Sequence, residues 1–191
     1  MKHLVIYAHP NENSLNHYLL HHVKTGLQNH GHELVVRDLY QIGFDPVLSL
    51  NDMQGQRMGK VCEEVKIEQD FITWADHITF VYPIWWTGMP AILKGYIDRV
   101  MSYGFAYRYD NGVQKGLLSA KKTTIINTQG KSQEEYKSIG MDKALRLTSD
   151  QGVYEYCGME ISQHFFFDQA DKADQENINT WINQIKSQFE F

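Results

Sequence analysis

The stretch His77-Ile-Thr-Phe-Val-Tyr82, Pro83-Ile-Trp-Trp-Thr-Gly-Met-Pro90, Ala91-Ile-Leu-Lys-Gly-Tyr-Ile-Asp-Arg99 decides the fold. Its first third is almost continuously apolar, the pattern of a strand covered on both faces. Its last third places Ile92, Leu93, Tyr96, Ile97, Val100 and Met101 at the three and four spacing of a helix that buries one side. Pro90 stands near the first helical turn, where its missing N–H costs nothing. Strand, loop and amphipathic helix together make half of a parallel crossover unit.

Outward from this stretch the same alternation recurs. Further strands are expected at His3 to Ala8, Glu33 to Asp38, Lys122 to Thr128 and within Met159 to Phe167. Between Ser14 and His30, Leu15, Tyr18, Leu19, Val23, Gly26 and Leu27 share a helix face, and Ile178, Trp181, Ile182, Ile185 and Phe189 repeat the pattern near the C-terminus. Val61 to Trp74 and Glu134 to Leu147 are weaker examples. Five strands and five helices with right-handed crossovers assemble as an α/β, flavodoxin-like three-layer sandwich, its five-stranded parallel sheet ordered 2-1-3-4-5. No repeat or linker interrupts the pattern, and residues 1–191 read as a single domain.

Composition narrows the function. The chain is 42% hydrophobic and 21% charged with 4 prolines, which fits a globular protein with a real core. Eighteen Lys plus Arg against 23 Asp plus Glu leave a net charge of -5, the wrong sign for nucleic acid or an anionic lipid surface. No apolar run approaches the ~20 residues of a membrane span, so a cytoplasmic location is expected. Cys62 and Cys157 show no zinc or redox spacing and read as reduced core thiols. His17 and His21 stand four apart on one helix but lack a third ligand, and no metal is expected.

In open α/β sheets ligands bind beyond the carboxyl ends of the strands, so the loops after strands one, three and four carry the chemistry. The first, Tyr7 to Asn16, contains no glycine, which excludes the G-x-G-x-x-G and Walker loops. It offers a helix N-terminus for an anion instead, with Ser14 as N-cap and His9 and Asn16 as added donors. After strand three, Trp85 and Trp86 cannot both enter the sheet, and at least one offers its face to a flat ligand. After strand four, Asn127-Thr-Gln-Gly-Lys-Ser132 is small and polar, suited to backbone hydrogen bonds with the carbonyl edge of a ring, with Tyr136 a few residues on. Phosphate end, aromatic wall and carbonyl edge at one crevice describe a mononucleotide with a wide ring, a flavin, better than a sugar or a metabolite. Lys131 reads as solvated, and Phe165 to Phe167 as the buried last strand whose final ring reaches the pocket.

These residues resemble the flavodoxin-like NAD(P)H:quinone oxidoreductases, a group that includes DT-diaphorase, the bacterial modulators of drug activity, general stress protein 14 and the ancillary subunits of potassium-efflux systems. The likeness runs from His9 and Ser14-Leu-Asn16 through Arg37-Asp-Leu-Tyr40, Phe44-Asp-Pro46, Glu68-Gln69 and Ala75-Asp76. It is tightest over Pro83 to Arg99 and Phe105-Ala-Tyr107.

The resemblance implies that His9, Ser14, Leu15 and Asn16 hold the flavin phosphate and ribityl chain. It puts Pro83, Ile84, Trp85, Trp86 and Thr87 along the ring, and Asn127, Thr128, Gln129, Gly130 and Tyr136 at its pyrimidine edge. Tyr136 and the backbone donors around Gly130 take the catalytic part, stabilising charge on the ring. Tyr107 and Tyr109 match tyrosines that reach a partner's active site, so a homodimer is expected. The implied activity is hydride transfer from NAD(P)H through flavin to a quinone, with FMN favoured over FAD by the short chain. Two departures stand out. Gln129-Gly130 replaces a Gly-Gly pair, and Asp142 stands where DT-diaphorase has a relay histidine, a role a carboxylate does not inherit. A regulatory flavoprotein subunit of a potassium-efflux-type transporter is the alternative, and a flavodoxin-type electron carrier a third option disfavoured by the mild charge.

Overall fold

The structure, a computed structural model, describes residues Met1–Phe189. The chain runs β1 (Lys2–Tyr7), α1 (Leu15–Asn29), β2 (Glu33–Asp38), α2 (Leu50–Arg57), α3 (Glu63–Trp74), β3 (His77–Pro83), α4 (Ala91–Val100), β4 (Tyr107–Asp110), β5 (Val113–Gly116), β6 (Lys122–Thr128), α5 (Gln133–Ser138), α6 (Met141–Arg146), a π-helical segment (Leu147–Glu155), β7 (Glu160–Phe167) and α7 (Gln175–Phe189). Five strands form a parallel sheet in the order β2-β1-β3-β6-β7, the expected 2-1-3-4-5 once the separate β4–β5 hairpin is set aside.

Strand alternation sends two side-chain sets to opposite faces. Leu4, Ile6, Phe80, Tyr82 and Ile125 pack with Leu93, Tyr96 and Tyr154 on one side, while Val5, Tyr7, Val81, Ile126, Phe165 and Phe167 pack with Leu19, Val23, Ile182 and Ile185 on the other. Each such side chain contributes about 1.5–3 kcal/mol of burial. The central block owes its residues to packing as well as chemistry. Gly95 lies so close to the Phe44–Pro46 segment that an added Cβ would sit 2.1 Å from the Pro46 carbonyl oxygen. Arg99, four residues on, bonds Glu64 at 2.7 Å and Asp52 at 3.3 Å, tying α2 and α3 to α4. Arg37 reaches the buried Glu68, which also accepts from Tyr96 Oη at 3.3 Å.

Several expectations need correction. The helix foreseen over Glu134 to Leu147 divides into α5 and α6, because Gly140 adopts a φ of 76° that ends one helix and starts the next. Helix α2 lacks an apolar face but forms on a capping box in which Ser49 and Asp52 satisfy each other's amides. The β4–β5 hairpin turns on Asn111-Gly112, a strong hairpin signal that the search for long crossovers passed over. Cys157 is a buried thiol, but Cys62 is exposed rather than part of the core. His32, just after α1, packs its ring against His3. In the last strand the final ring, Phe167, is buried against Trp181, and Phe166 is the one that turns toward the apolar cavity described below.

Candidate functional site

The loops after β1, β3 and β6 converge at the carboxyl edge of the sheet. They enclose a groove of about 570 Å³ lined by His9, Ser14, Leu15, Asn16, Pro83, Ile84, Trp85, Trp86, Thr128, Gln129 and Gly130, with Ala170 and Asp171 from the loop after β7. At its head Ser14 caps α1, accepting from His17 N at 3.1 Å. The amides of Leu15 and Asn16, at the first helical positions, have no carbonyl one turn back to bond, and the helix dipole adds to their pull on an anion. Asn16 donates to Thr128 Oγ1 at 2.7 Å, which joins the first loop to the third. The His9 ring lies 5.5 Å from that of Trp85, and burial lowers its pKa from the ordinary value.

The β3 loop is a tight turn. Trp85 and Gly88 exchange both backbone hydrogen bonds at 3.0 Å, while Trp86 and Thr87 take φ values of 50° and 56°. A β-branched and an indole side chain both resist that region, at a cost of about 1–2 kcal/mol each. The strain presents Trp86 wholly to solvent, with Trp85 40% exposed beside it.

The remaining candidates fall around this groove rather than in it. Thr87 and Asn127 line an adjoining apolar cavity of about 230 Å³ with Tyr82, Met89, Leu145 and Phe166, and Ile84 is shared between the two spaces. Tyr136 faces a third, polar cavity of about 470 Å³ together with Asp142, Arg146 and His164, which meets the groove at Gln129. The backbone donors foreseen in the third loop are partly committed. Gln129 N donates to Phe167 O at 2.9 Å, which leaves Gly130 N–H as the donor of that pair without a described acceptor. Lys131 is held by Glu135 at 2.8 Å on the surface. Tyr107 and Tyr109 lie on the β4–β5 hairpin, which is fastened by Leu118 N to Cys157 O near the amino edge of the sheet, the end opposite the groove.

Two groups were missed by sequence reasoning. His164 and Asp150 are both buried, 2.7 Å apart, behind Asn127. Asp150 comes from the π-helical segment, which has no recognisable sequence pattern, and His164 read as one more residue of a strand. Among the described residues no cluster of three metal-ligating side chains occurs, and no helix is long and apolar enough to cross a membrane.

Whether a flavin suits these residues can be judged from what they leave unsatisfied. Asn16 Oδ1 and Gln129 Oε1 are buried in the groove wall with no hydrogen-bond partner among the described residues. A buried acceptor left bare costs about 1–3 kcal/mol, and a ligand with hydroxyl and imide donors removes that cost. Bare amides at the helix head, bare acceptors beneath it and a flat aromatic wall match a phosphorylated, hydroxylated chain that ends in a ring.

A family profile described as a flavodoxin-like fold matches residues 1–189. The chain is 41% identical over 181 residues to a Haemophilus influenzae protein named an uncharacterized NAD(P)H oxidoreductase, covering 91% of this chain and 90% of that one. It is 30% identical over 178 residues to rat NAD(P)H dehydrogenase [quinone] 1, covering 83% of this chain and 65% of the rat enzyme. The solved structure of the NAD(P)H:quinone oxidoreductase from Methanothermobacter marburgensis superposes with a TM-score of 0.87 at 26% identity, over 98% of this chain and 96% of that one. The chain belongs to the flavodoxin-like NAD(P)H:quinone oxidoreductase family.

Proposed function

We propose that this protein is a flavin-dependent NAD(P)H:quinone oxidoreductase. When bound, the flavin supplies the redox chemistry, taking hydride from NAD(P)H and passing it to a quinone. The single observation that carries the reading is the pair of buried, unpartnered acceptors, Asn16 Oδ1 and Gln129 Oε1, in a groove headed by the free amides of α1.

In this reading His9, Ser14 and the amides of Leu15 and Asn16 hold the phosphate, and Asn16 with Gln129 takes the hydroxylated chain. The segment from Pro83 to Trp86 with Thr128 forms the bed of the ring, Thr87 and Asn127 line the cavity beside it, and the Gly130 amide donates to its carbonyl edge, as an oxyanion hole does. Tyr136 faces the neighbouring polar cavity, so its part in catalysis rests on Gln129, which lines both that cavity and the groove. The side chains that exclude water are Ile84, Met89, Leu145 and Phe166, which make the adjoining cavity apolar enough for a quinone. No side-chain nucleophile is needed. FMN is the favoured form on chain length.

A homodimer of single-domain protomers in the cytoplasm completes the proposal. Val47, Leu50 and Met58 are exposed apolar residues on and around α2. Tyr107 and Tyr109 stand at the far edge of their own sheet, so they reach a groove only in a second copy. Light scattering is expected to return twice the chain mass. The relatives named above are reductases, which favours this reading over the transporter-subunit alternative. The deciding experiment releases the chromophore from purified protein by denaturation, identifies it by mass, and measures NADH and NADPH oxidation with menadione. Bound FMN with quinone-dependent turnover is expected. A protein that stays colourless after incubation with FMN and FAD overturns the proposal.

A further inference from the structure

The groove and its neighbouring apolar cavity do not use a buried titratable pair that stands beside them, His164 and Asp150. His164 Nδ1 lies 2.7 Å from Asp150 Oδ1, and His164 Nε2 lies 2.7 Å from Asn127 Oδ1. Asn127 is not free to choose its orientation, because its Nδ2 donates to Tyr82 O at 3.0 Å. Its Oδ1 must therefore accept, and a ring with an oxygen facing each nitrogen is satisfied only when both nitrogens carry protons. Without the extra proton, Nε2 points a lone pair at Asn127 Oδ1, or Nδ1 points one at Asp150 Oδ1, or the amide turns over and sets its oxygen against that of Tyr82. Each alternative puts two acceptors together in a buried place. The proton on the pair and the orientation of the amide are thus coupled.

We propose that His164 and Asp150 are positioning residues that lock the Asn127 side chain in the wall of the quinone cavity through the proton they share. The proposal rests on the reductase reading for the identity of the ligand, but not for the lock itself. Asn127 lines the apolar cavity together with Tyr82, whose phenol its amide also bonds, so the lock holds a polar group in that wall for an acceptor carbonyl. The surrounding structure is built to keep the pair still. Ser149 donates to Asp150 at 2.7 Å, Arg146 approaches its other oxygen at 3.5 Å, and the His164 ring stacks on Phe166 at 3.9 Å. π-Helical turns recur where a helix must aim a side chain at a functional place, and this one aims Asp150. Burial lowers the His164 imidazole from its ordinary value, opposed by Asp150. The other charged or titratable groups facing the pair are Arg146 and Asp142 from α6, Tyr136 and Lys137 from α5, Tyr154 from the π-helical segment, Tyr82 from β3 and Asp168 after β7.

Nitrogen-15 NMR on the cofactor-free full chain tests the lock without turnover. On the acid side both His164 ring nitrogens are expected to be protonated, and the Asn127 side-chain amide signal shifts with the same midpoint as the ring loses its proton. Asp150→Asn removes the counter-charge and moves that midpoint to lower pH. Menadione reduction by the flavin-loaded protein supplies the second readout. Its KM is expected to rise by about five- to tenfold above the midpoint, the worth of one hydrogen bond, while kcat changes little. His164→Gln should hold the higher KM at every pH. A His164 ring with one bare nitrogen across the whole range, or an Asn127 amide that ignores the ring's titration, overturns the lock. A parent protein with no turnover defeats the reductase reading instead and leaves the NMR result to decide the lock.

Discussion

Two turns in this molecule share a backbone shape and differ in how they are made. In the β4–β5 hairpin, Asn111 and Gly112 take φ values of 52° and 78°, and in the β3 loop Trp86 and Thr87 take 50° and 56°. Positive φ at both central positions is the signature of a type I′ turn, for which Asn-Gly is the preferred pair and Trp-Thr among the least suited. The hairpin therefore uses residues that stabilise it. The β3 loop holds its shape against its residues, supported by the two backbone bonds between Trp85 and Gly88 and by the anchoring of Ile84 N to Thr128 O at 2.8 Å. Strain of that kind persists where the displayed side chain matters more than the stability lost.

The comparison can be broken by exchanging the chemistry. Replacing Trp86 and Thr87 together by Asn and Gly should keep the turn and remove the aromatic wall. Flavin affinity and menadione turnover are expected to fall by about ten- to a hundredfold, as loss of a large stacking surface does, and fluorescence titration with FMN checks the first of these. Full retention of binding would show that the strain serves something else.

A further test concerns a part of the frame that neither turn touches. At the amino edge of the sheet the His3 ring stacks on His77 at 5.0 Å and meets His32 edge-on at 4.9 Å. Burial, then the neighbouring His77 and His32, lowers His3 to about 3, and burial lowers His77 to about 4. Both pKa values are depressed in the folded chain, so the unfolded chain binds more protons below its own value. Stability is accordingly full above about pH 6.5 and declines as pH falls toward about 4, by on the order of 2–4 kcal/mol. Urea unfolding at a series of pH values measures this. The Asn-Gly variant of the β3 loop should show the same decline, and a different one would mean that the exchange had disturbed the sheet.

Smaller effects sharpen the contrast. The same double exchange should raise stability by about 1–2 kcal/mol, a melting-temperature gain of a few degrees in a chain of this size. Gly112→Ala in the hairpin should lower stability by about 1 kcal/mol and leave FMN affinity unchanged in the titration. An equal stability response at the two turns would remove the distinction drawn between them.

How far the residues alone reach can be followed element by element. The alternation of apolar strands with helices of regular period was enough for the parallel sheet, its order and the edge where ligands gather, because both signals are local and repeat along the chain. Pro83 to Arg99 carried the family likeness, and the first and third loops were rightly drawn toward one groove, since sheet order places them side by side. Residues that act by long-range contact were not legible. Asp150 and His164 meet across two elements, Tyr136 faces a neighbouring cavity because Gly140 bends the helix behind it, and Gln129 spends its amide on Phe167 of the adjacent strand.

Periodicity and turn chemistry are properties of neighbours in the chain, so the sequence by itself determined the layers, the strand order and the two ends of the sheet. Which polar atoms remain bare, which side chains share a cavity and where strain is held depend on distances between segments far apart in the chain. Those distances exist only after the core has closed, and so only the tertiary structure decided them.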